Sequence, residues 1–293
     1  MTVRSYAVVT PARDEEENLA RLATSLEAQE HRPACWIVVD NGSTDGTRAL
    51  AERLAAAHDW VAVADAPAAP GQVRGGPVVR AFHAGLDRLR LLGPLPDVVV
   101  KVDADVSFPS DYFARLLAAF AADERLGIAS GSAWELEGSG WRQQHMTGDQ
   151  VWGAARAYRR ACLEAVLPLE ERMGWDGIDV YKAALAGWRT RTLADLRFDH
   201  HRREGERDGA RRRAWAAQGR ASHFMGYRFP YLLARALYHA RREPAALAMV
   251  GGFVAAAARR EPRCDDPVVL AAVRDGQRLR QLARRAREAS GQR

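Results

Sequence analysis

The sequence has few cysteines, only two lysines and no long apolar run. The cysteines, Cys35, Cys162 and Cys264, are far apart, so they predict neither a disulfide framework nor a clustered metal site. The longest apolar run, residues 245–258, is shorter than the roughly 20 residues that a membrane-spanning helix needs. No signal-peptide pattern precedes the first apolar strand. Together these absences predict a cytoplasmic protein.

Charge is unevenly distributed along the 293 residues. Residues 1–200 carry 22 basic and 28 acidic side chains, whereas residues 201–293 carry 21 and 9. The hydrophobic fraction of 47% is enough to bury a sizeable core. We therefore predict a catalytic domain over residues 1–201 and a basic, mainly helical extension over 202–293, with the boundary in the polar stretch 201–213.

The segment 98–108 is the most informative part of the chain. A β-branched apolar run ends in two carboxylates, Asp103 and Asp105. Side chains at i and i+2 of an extended strand point to the same side, so both carboxylates would face one divalent cation. Strand ends are also where open α/β sheets bind ligands. A simple polar turn after the strand is the alternative interpretation.

Two earlier segments have the same organisation. In residues 8–19 an apolar strand runs into an acidic turn and a helix, where part of the acidity suits the helix N-terminus. In residues 36–47 a buried-type strand breaks into a glycine-rich turn, in which Asp45 or Thr44 would cap the next helix. Asp40, at the strand end, has no such structural role. Strands that alternate with helices predict βαβ units and a parallel sheet.

The residues quoted above resemble the family 2 glycosyltransferases. The resemblance rests on residues 10–16, 38–47 and 101–105 in this order and spacing, and it extends less tightly to about residue 201. It implies an α/β protein of GT-A fold, a Rossmann-like, mostly parallel sheet flanked by helices that binds a nucleotide sugar. The basic helical extension would follow this domain.

The resemblance also implies roles for individual residues. Asp105 would bind Mg²⁺ or Mn²⁺, helped by His201 or His200 at the end of a later strand, where alternation lets only one of the two face the ligand. Asp103 would hydrogen-bond the ribose or the groups around the metal. The remaining candidates would contact the nucleoside, the base edge or the diphosphate: Pro11, Arg13, Glu15, Asp40 and Arg80.

Residues 174–189 supply the candidate general base, Asp176. The family has an aspartate that starts a helix ending at a glycine eleven residues later, and the interval to Gly187 fits. Trp175 departs from the glutamate that the family more often has before this aspartate. A structural interpretation also accounts for the pattern: Asp176 as a helix N-cap, with Asp179 and Lys182 as a helical ion pair.

Three functions follow for comparison. The first is a metal-dependent inverting glycosyltransferase, in which Asp176 removes the proton of an acceptor hydroxyl opposite the nucleoside diphosphate. The second is a nucleotidyltransferase, which the acidic turn after the first strand disfavours. The third is a non-catalytic nucleotide-sugar-binding or membrane scaffold protein. It is favoured by Trp175, which stands where the family more often has a glutamate.

The basic extension has two interpretations. Its apolar run could lie on the inner face of the cell membrane, where arginines meet anionic headgroups and an acceptor would be lipid-linked. The residues expected to enter the acyl boundary are Leu247, Val250, Phe253 and Val254. Alternatively, the run is a helix buried against the catalytic domain. Nucleic-acid binding is not predicted, because no aromatic-basic binding module is present.

Overall fold

The computed structural model describes residues 3–67, 74–137, 140–144, 146, 150–201, 211–241 and 243–277. These residues form one nine-stranded sheet flanked by helices. The strands run in the order β3-β2-β1-β4-β8-β6-β9-β5, and β7 pairs with β6 at the side.

The first half of the sheet consists of parallel strands joined by helices. Strands β1, β2 and β4 are mainly apolar runs that are buried on both faces, as parallel strands usually are, whereas the edge strand β3 is partly exposed. Strand and helix bounds in chain order are β1 Tyr6–Ala12, α1 Glu16–Glu27, β2 Cys35–Asp40, α2 Thr47–Ala57, β3 Val61–Asp65, α3 Gly76–Leu92 and β4 Val98–Val102. This arrangement places the carboxyl ends of β1, β2 and β4 at one edge.

The second half of the sheet is mixed in direction. β8 is antiparallel to both β4 and β6, whereas β6 is parallel to β9 and β5 is antiparallel to β9. The bounds are β5 Val106–Ser107, α4 Tyr112–Ala122, β6 Leu126–Glu137, β7 Gly140–Gln143, β8 Ala155–Arg159, α5 Arg160–Val166, α6 Trp175–Leu185 and β9 Arg189–His200. The predicted α/β class is confirmed.

Helices cover both faces of the sheet and create two cores. One core packs α1, α2 and α4 against residues such as Trp36 and Val100. The other packs α3, α5 and α6 against residues such as Val9 and Tyr158. Because both faces are covered, the ends of the strands are where this sheet can receive a ligand.

The basic extension is helical in its described part. It contains α7 Arg211–Phe224, α8 Phe229–Ala240, a short 3₁₀ turn Pro244–Leu247, α9 Ala248–Ala258 and α10 Pro267–Asp275. Ile178 of α6 shares a buried cluster with Phe224 of α7 and Val269 of α10. The boundary predicted in 201–213 lies largely outside the described residues, so the division at residue 201 stays a prediction.

The apolar run 245–258 is partly buried within these helices. Met249 and Phe253 of α9 pack against Leu232 and Ala236 of α8. The expectation that Phe253 enters a membrane is therefore wrong, because its ring is in the interior of the helical bundle, where it contacts His223. Among the described helices, none combines the length and the apolar character that crossing a bilayer requires.

Two adjacent glycines give a direct test of how α9 packs on α7. A Cβ atom added at Gly252 would lie 2.0 Å from the carbonyl oxygen of Ala216, whereas one added at Gly251 would meet nothing within 4 Å. We expect Gly252→Ala to lower the free energy of unfolding by about 2 kcal/mol, because the helices must move apart.

The matched control, Gly251→Ala, should raise the free energy of unfolding by about 0.5–1 kcal/mol, because alanine has a higher helix propensity than glycine and this position is exposed. Urea unfolding followed by circular dichroism measures both changes. A shift of the urea midpoint in the same direction for both substitutions would contradict the close packing of Gly252 of α9 on Ala216 of α7.

Candidate active site

The turns after β1 and β2 are joined by carboxylates. Asp14 accepts hydrogen bonds from the backbone N–H of Thr44 at 2.7 Å and from its hydroxyl. The Thr44 N–H lowers the pKa of Asp14. Asp45 in turn accepts from the N–H of Glu16 and, with its other oxygen, from Thr47 at the start of α2. These carboxylates therefore hold the turn after β1 against the turn after β2. They also lie near the N-termini of α1 and α2.

Asp40 has a structural role that the sequence did not indicate. Its Oδ1 accepts hydrogen bonds from the N–H and the hydroxyl of Ser43, the latter at 2.5 Å. The side chain is buried at the end of β2. Asp40 does not cap the next helix, as predicted, but the expected cap Asp45 or Thr44 is wrong, since the N-cap of α2 is Gly46. The Asp40 carboxylate instead closes the turn that precedes α2.

The other nucleoside-side candidates lie on the same turns. Pro11 pairs with Val39 near the end of β1, and Arg13 is exposed, with its Nε 3.8 Å from Asp14. Glu15 is buried; its N–H donates to Thr47 and its carboxylate accepts from Asn18 at 2.6 Å. These contacts place the three residues at the carboxyl edge of the sheet and leave their predicted roles untested.

Arg80 lies in the second turn of α3. Its guanidinium donates to Glu171 at 3.0 Å, in the loop before α6. Glu171 also borders a shallow cavity of about 400 Å³ on the outer side of α3, which Arg80 and His83 line. The predicted diphosphate role of Arg80 would require this ion pair to open.

Asp103 and Asp105 lie in a turn. β4 ends at Val102, and residues 103–105 turn into β5, so the expectation of an extended i, i+2 pair is wrong in its geometry. Asp103 accepts a hydrogen bond from Lys101 Nζ at 2.5 Å, and the same ammonium donates to the Gly153 carbonyl at 2.9 Å. Burial raises the pKa of Asp103, and the Lys101 charge opposes that shift.

Asp105 faces His200 and, beyond it, Glu135. His200 Nε2 lies 3.6 Å from the Asp105 carboxylate, and its Nδ1 lies 3.2 Å from Glu135 Oε1. Burial alone would lower the pKa of His200, but the Asp105 and Glu135 carboxylates outweigh it and raise the pKa to about 10. Glu135 was not predicted from the sequence, because it reaches the site only through its register opposite His200 on β9.

His201 points away from this cluster. Its Nε2 lies 2.7 Å from the Ser107 hydroxyl, and its ring packs edge-on against Trp141. Its backbone N–H donates to the Asp105 carbonyl. Adjacent residues on a strand alternate in direction, so the structure brings His200, and not His201, to the Asp105 carboxylate.

The chemistry of this cluster fits a divalent cation. Two ligands bound at about 2.1 Å lie no more than about 4.2 Å apart, and the Asp105 oxygen and His200 Nε2 meet this condition. Glu135 is placed to accept a hydrogen bond from the other imidazole nitrogen, which is how metal-binding histidines are commonly oriented. Asp105 and His200 are therefore the residues that could hold the ion.

A second acidic group lies elsewhere in the described residues. Ligand atoms of Glu170, Cys264 and Asp265 come within 4.8 Å of one another. However, Lys182 already pairs with Glu170 at 3.2 Å, and burial raises the pKa of the Cys264 thiol, which disfavours the thiolate. We assign no role to this group.

Asp176 lies in the first turn of α6 without capping it. The N-cap is Gly174, which has a φ of 99°, so the interpretation of Asp176 as N-cap is wrong. The predicted Asp179–Lys182 ion pair is also absent among the described contacts, since Lys182 pairs with Glu170 and Asp179 pairs with Arg156. The partly exposed Asp176 carboxylate lies beside Gly153.

A buried network fixes the helix start on which Asp176 lies. Arg156 of β8 donates to both carboxylate oxygens of Asp179, at 2.6 and 2.9 Å, and to the Asp176 carbonyl at 2.9 Å. The Tyr158 hydroxyl donates to Asp179 at 2.6 Å. Burial raises the pKa of Asp179, and Arg156 opposes this shift. The network holds α6 against the sheet, so that the direction of Asp176 is set by β8.

Trp175 lies between the two buried cations. The Lys101 ammonium and the Arg156 guanidinium are each 5.6 Å from the centre of its ring, a distance at which cations are attracted to an aromatic face. Where the family more often has a carboxylate, this chain therefore has a ring that packs against Lys101 and Arg156. The departure changes the electrostatics of the site while keeping it closely packed.

The Arg156–Asp179 pair predicts a large effect on stability. Asp179→Asn is expected to lower the free energy of unfolding by about 3 kcal/mol, because it leaves a buried guanidinium without its counter-charge. Asp199→Asn is the matched control: Asp199 pairs with Arg197 in a partly exposed position and should cost less than about 1 kcal/mol. Urea titrations of the two variants compare them, and equal losses would contradict the buried pair.

The sequence of the first two strand-end turns agrees with this geometry. Residues 7–73 match the family model described as glycosyl transferase family 2. This segment is similar to that family, and we call residues 7–73 the family 2 segment. It contains Pro11, Arg13, Glu15 and Asp40, and the resemblance predicted from the motifs is confirmed.

One curated relative supports the same assignment. Succinoglycan biosynthesis protein ExoA of Rhizobium meliloti (strain 1021) is 30% identical to this chain over 118 residues. The match covers 40% of this chain and 33% of the relative. The chain thus spans about a third of the length of this relative, so the likeness concerns one part of that protein.

Solved structures show that the fold is GT-A. Mannosyltransferase PcManGT from Pyrobaculum calidifontis, in complex with GDP-Man and Mn²⁺, has a TM-score of 0.57 at 19% identity, covering 98% of this chain and 86% of its own. S. aureus TarS 1-349 in complex with UDP has a TM-score of 0.55 at 17% identity, covering 98% and 90%. The fold predicted around the family 2 segment is confirmed.

Proposed function

We propose that this protein transfers a sugar from a nucleoside-diphosphate sugar to a hydroxyl acceptor, with a divalent cation and with inversion at the transferred carbon. One observation carries the proposal. Asp176 lies beside Gly153, whose carbonyl binds Lys101, which in turn pairs with Asp103. The fold thus brings a candidate base and the carboxylates after β4 to one place, although about 70 residues separate them in sequence.

The metal side of the site would consist of Asp105 and His200. A bound divalent cation neutralises the negative charge that develops on the departing diphosphate. An imidazole nitrogen among the ligands favours Mn²⁺ over Mg²⁺, which prefers oxygen ligands. PcManGT was solved with Mn²⁺, which supports this choice. Lys101 pairs with Asp103, whereas the Asp105 carboxylate faces His200, so Asp105 is the carboxylate that we assign to the ion.

The nucleoside would bind over the turns of the family 2 segment. The described hydrogen bonds of Asp40 all use Oδ1, so Oδ2 would be the oxygen that accepts an imide N–H of the base. Pro11, Arg13 and Glu15 would contact the nucleoside, and Asp103 the ribose. The two neighbours named above carry GDP-Man and UDP, and uracil, thymine and guanine all present such an N–H.

Asp176 would accept the proton of the acceptor hydroxyl. A general base must be held within hydrogen-bond reach of that proton, and the Arg156–Asp179 network gives α6 the required rigidity. The base acts on the face of the sugar opposite the diphosphate, so the configuration inverts. The relative's role in succinoglycan biosynthesis supports a saccharide acceptor of polysaccharide assembly, which a lipid carrier would present.

A non-catalytic nucleotide-sugar-binding protein is the second candidate. It is favoured by Trp175, which removes a carboxylate from beside Asp176. Both candidates bind donor, but only the first releases nucleoside diphosphate. Measuring the release of nucleoside diphosphate therefore distinguishes the two functions, whereas measuring donor binding does not.

Donor binding is the first experimental test. We expect one of UDP, GDP or dTDP, with its sugar conjugates, to raise the melting temperature of the protein more in Mn²⁺ than in EDTA, because a ligand of the native state stabilises it. The base of the stabilising nucleotide identifies the donor class. If none of the three nucleotides changes the melting temperature with Mn²⁺ present, the proposed donor site is wrong.

A further inference from the structure

The outer side of α8 carries an apolar stripe. Phe229, Leu233 and Leu237 recur at four-residue intervals, which places them on one side of the helix. Their exposed fractions are 44%, 38% and 53%. The neighbouring residues Leu232 and Ala236 are fully buried in a cluster with Met249 and Phe253 of α9. The stripe therefore remains on the surface after the helices have packed.

A second stripe continues the surface onto α9. Leu247 and Val254 are each 49% exposed, and Gly251 between them is also exposed. α8 and α9 are in contact where the stripes begin, since the Phe229 ring is 6.0 Å from that of Phe253 of α9. We call Phe229, Leu233, Leu237, Leu247 and Val254 the α8–α9 face.

Arginines lie at the ends of α8 and α9, and neither helix contains an acidic residue. The exposed cations at the helix ends are Arg228, Arg241, Arg259 and Arg260. A symmetric contact between two copies through this face would bring these like charges together. A membrane with anionic headgroups would instead pair those headgroups with the arginines and bury the leucines in its apolar interior.

We propose that the α8–α9 face docks on an anionic lipid membrane. Phe229, Leu233, Leu237, Leu247 and Val254 enter the acyl boundary, while the arginines contact headgroup phosphates. This set differs from the one expected from sequence: Phe253 is buried and Val250 packs against the same buried cluster, and residues of α8 take their place.

Docking would place the membrane near the helix that carries the candidate base. Met225, directly after α7, contacts Gly174 and Gly177 of α6, and α7 packs against α9 through Gly219 and Gly252. Provided that the proposed function is correct, a lipid-linked acceptor would approach the site from this side. The docking itself does not depend on that function.

Vesicle co-sedimentation of the full chain tests the docking. We expect the wild type to pellet with vesicles of equal phosphatidylcholine and phosphatidylglycerol at about 0.05 M salt, and to be released at about 0.5 M, where headgroup attraction is screened. It should stay in the supernatant with phosphatidylcholine alone. Leu237→Glu should lower the partition coefficient about tenfold or more.

Leu92→Glu is the matched control, because Leu92 of α3 is 52% exposed and the charge change is the same. It should bind vesicles like the wild type.

Equal losses in the two variants, or a wild type that stays in the supernatant with anionic vesicles at low salt, would overturn the proposal. So would a dimer in sedimentation velocity that Leu237→Glu converts to monomer, since the face would then be a self-contact. Asp176→Asn should bind vesicles normally, which separates this test from that of catalysis.

Discussion

Replacing Asp176 by asparagine is expected to lower kcat by a factor of about 10² to 10⁴, the usual contribution of a general base. Asparagine has nearly the same shape and cannot accept the proton. Because Gly174 provides the N-cap of α6 and the buried charge pair involves Asp179, the substitution should leave the free energy of unfolding and the donor Kd close to the wild-type values. Steady-state release of nucleoside diphosphate and calorimetric donor titration measure the two effects.

A well-folded Asp176→Asn protein with near-normal kcat would contradict the assignment. The base would then have to be sought among other groups near Gly153.

Asp105→Ala is expected to abolish the metal-dependent part of donor binding. The substitution removes a carboxylate that would bind the ion and leaves His200 paired with Glu135 alone. Isothermal titration of the nucleoside diphosphate with Mn²⁺ and with EDTA should give a large difference in Kd for the wild type. For the variant the two Kd values should agree within about twofold, since removing a ligand group of the ion removes its contribution.

Asp199→Ala provides the comparison. Asp199 precedes His200 on β9 but pairs with Arg197 at 2.6 Å, so its loss should leave the Mn²⁺ effect intact. A Mn²⁺ effect that survives in Asp105→Ala, or that disappears in both variants, would exclude Asp105 as the metal-binding carboxylate.

Features that depend on neighbouring residues could be predicted from the sequence. The apolar runs ending at Asp40 and Val102 predicted parallel strands, because buried strands are continuously hydrophobic. Glycine-rich and acidic turns then marked the strand ends, and the fold class followed. The interval from Asp176 to Gly187 predicted a helix, and α6 begins and ends near those residues.

Features that depend on residues far apart could not be predicted. Glu135 meets His200 only because β6 and β9 pair in a particular register. Arg156 meets Asp179 because β8 lies under α6, and a local pattern had instead suggested a helical pair of Asp179 with Lys182. The same limit applies to Phe253, which is apolar in either environment, so that only the packing of α7 and α8 shows it to be buried.

The central claim, sugar transfer from a nucleotide donor, is tested most directly by product release. The purified chain is incubated with Mn²⁺ and the nucleotide sugars of whichever base raises its melting temperature, using water or a membrane lipid extract as acceptor, and the nucleoside diphosphate is quantified. We predict release from at least one donor that requires the metal and falls by about 10² or more in Asp176→Asn. Donor that binds with Mn²⁺ but yields no nucleoside diphosphate under either condition would contradict the account and favour a binding protein.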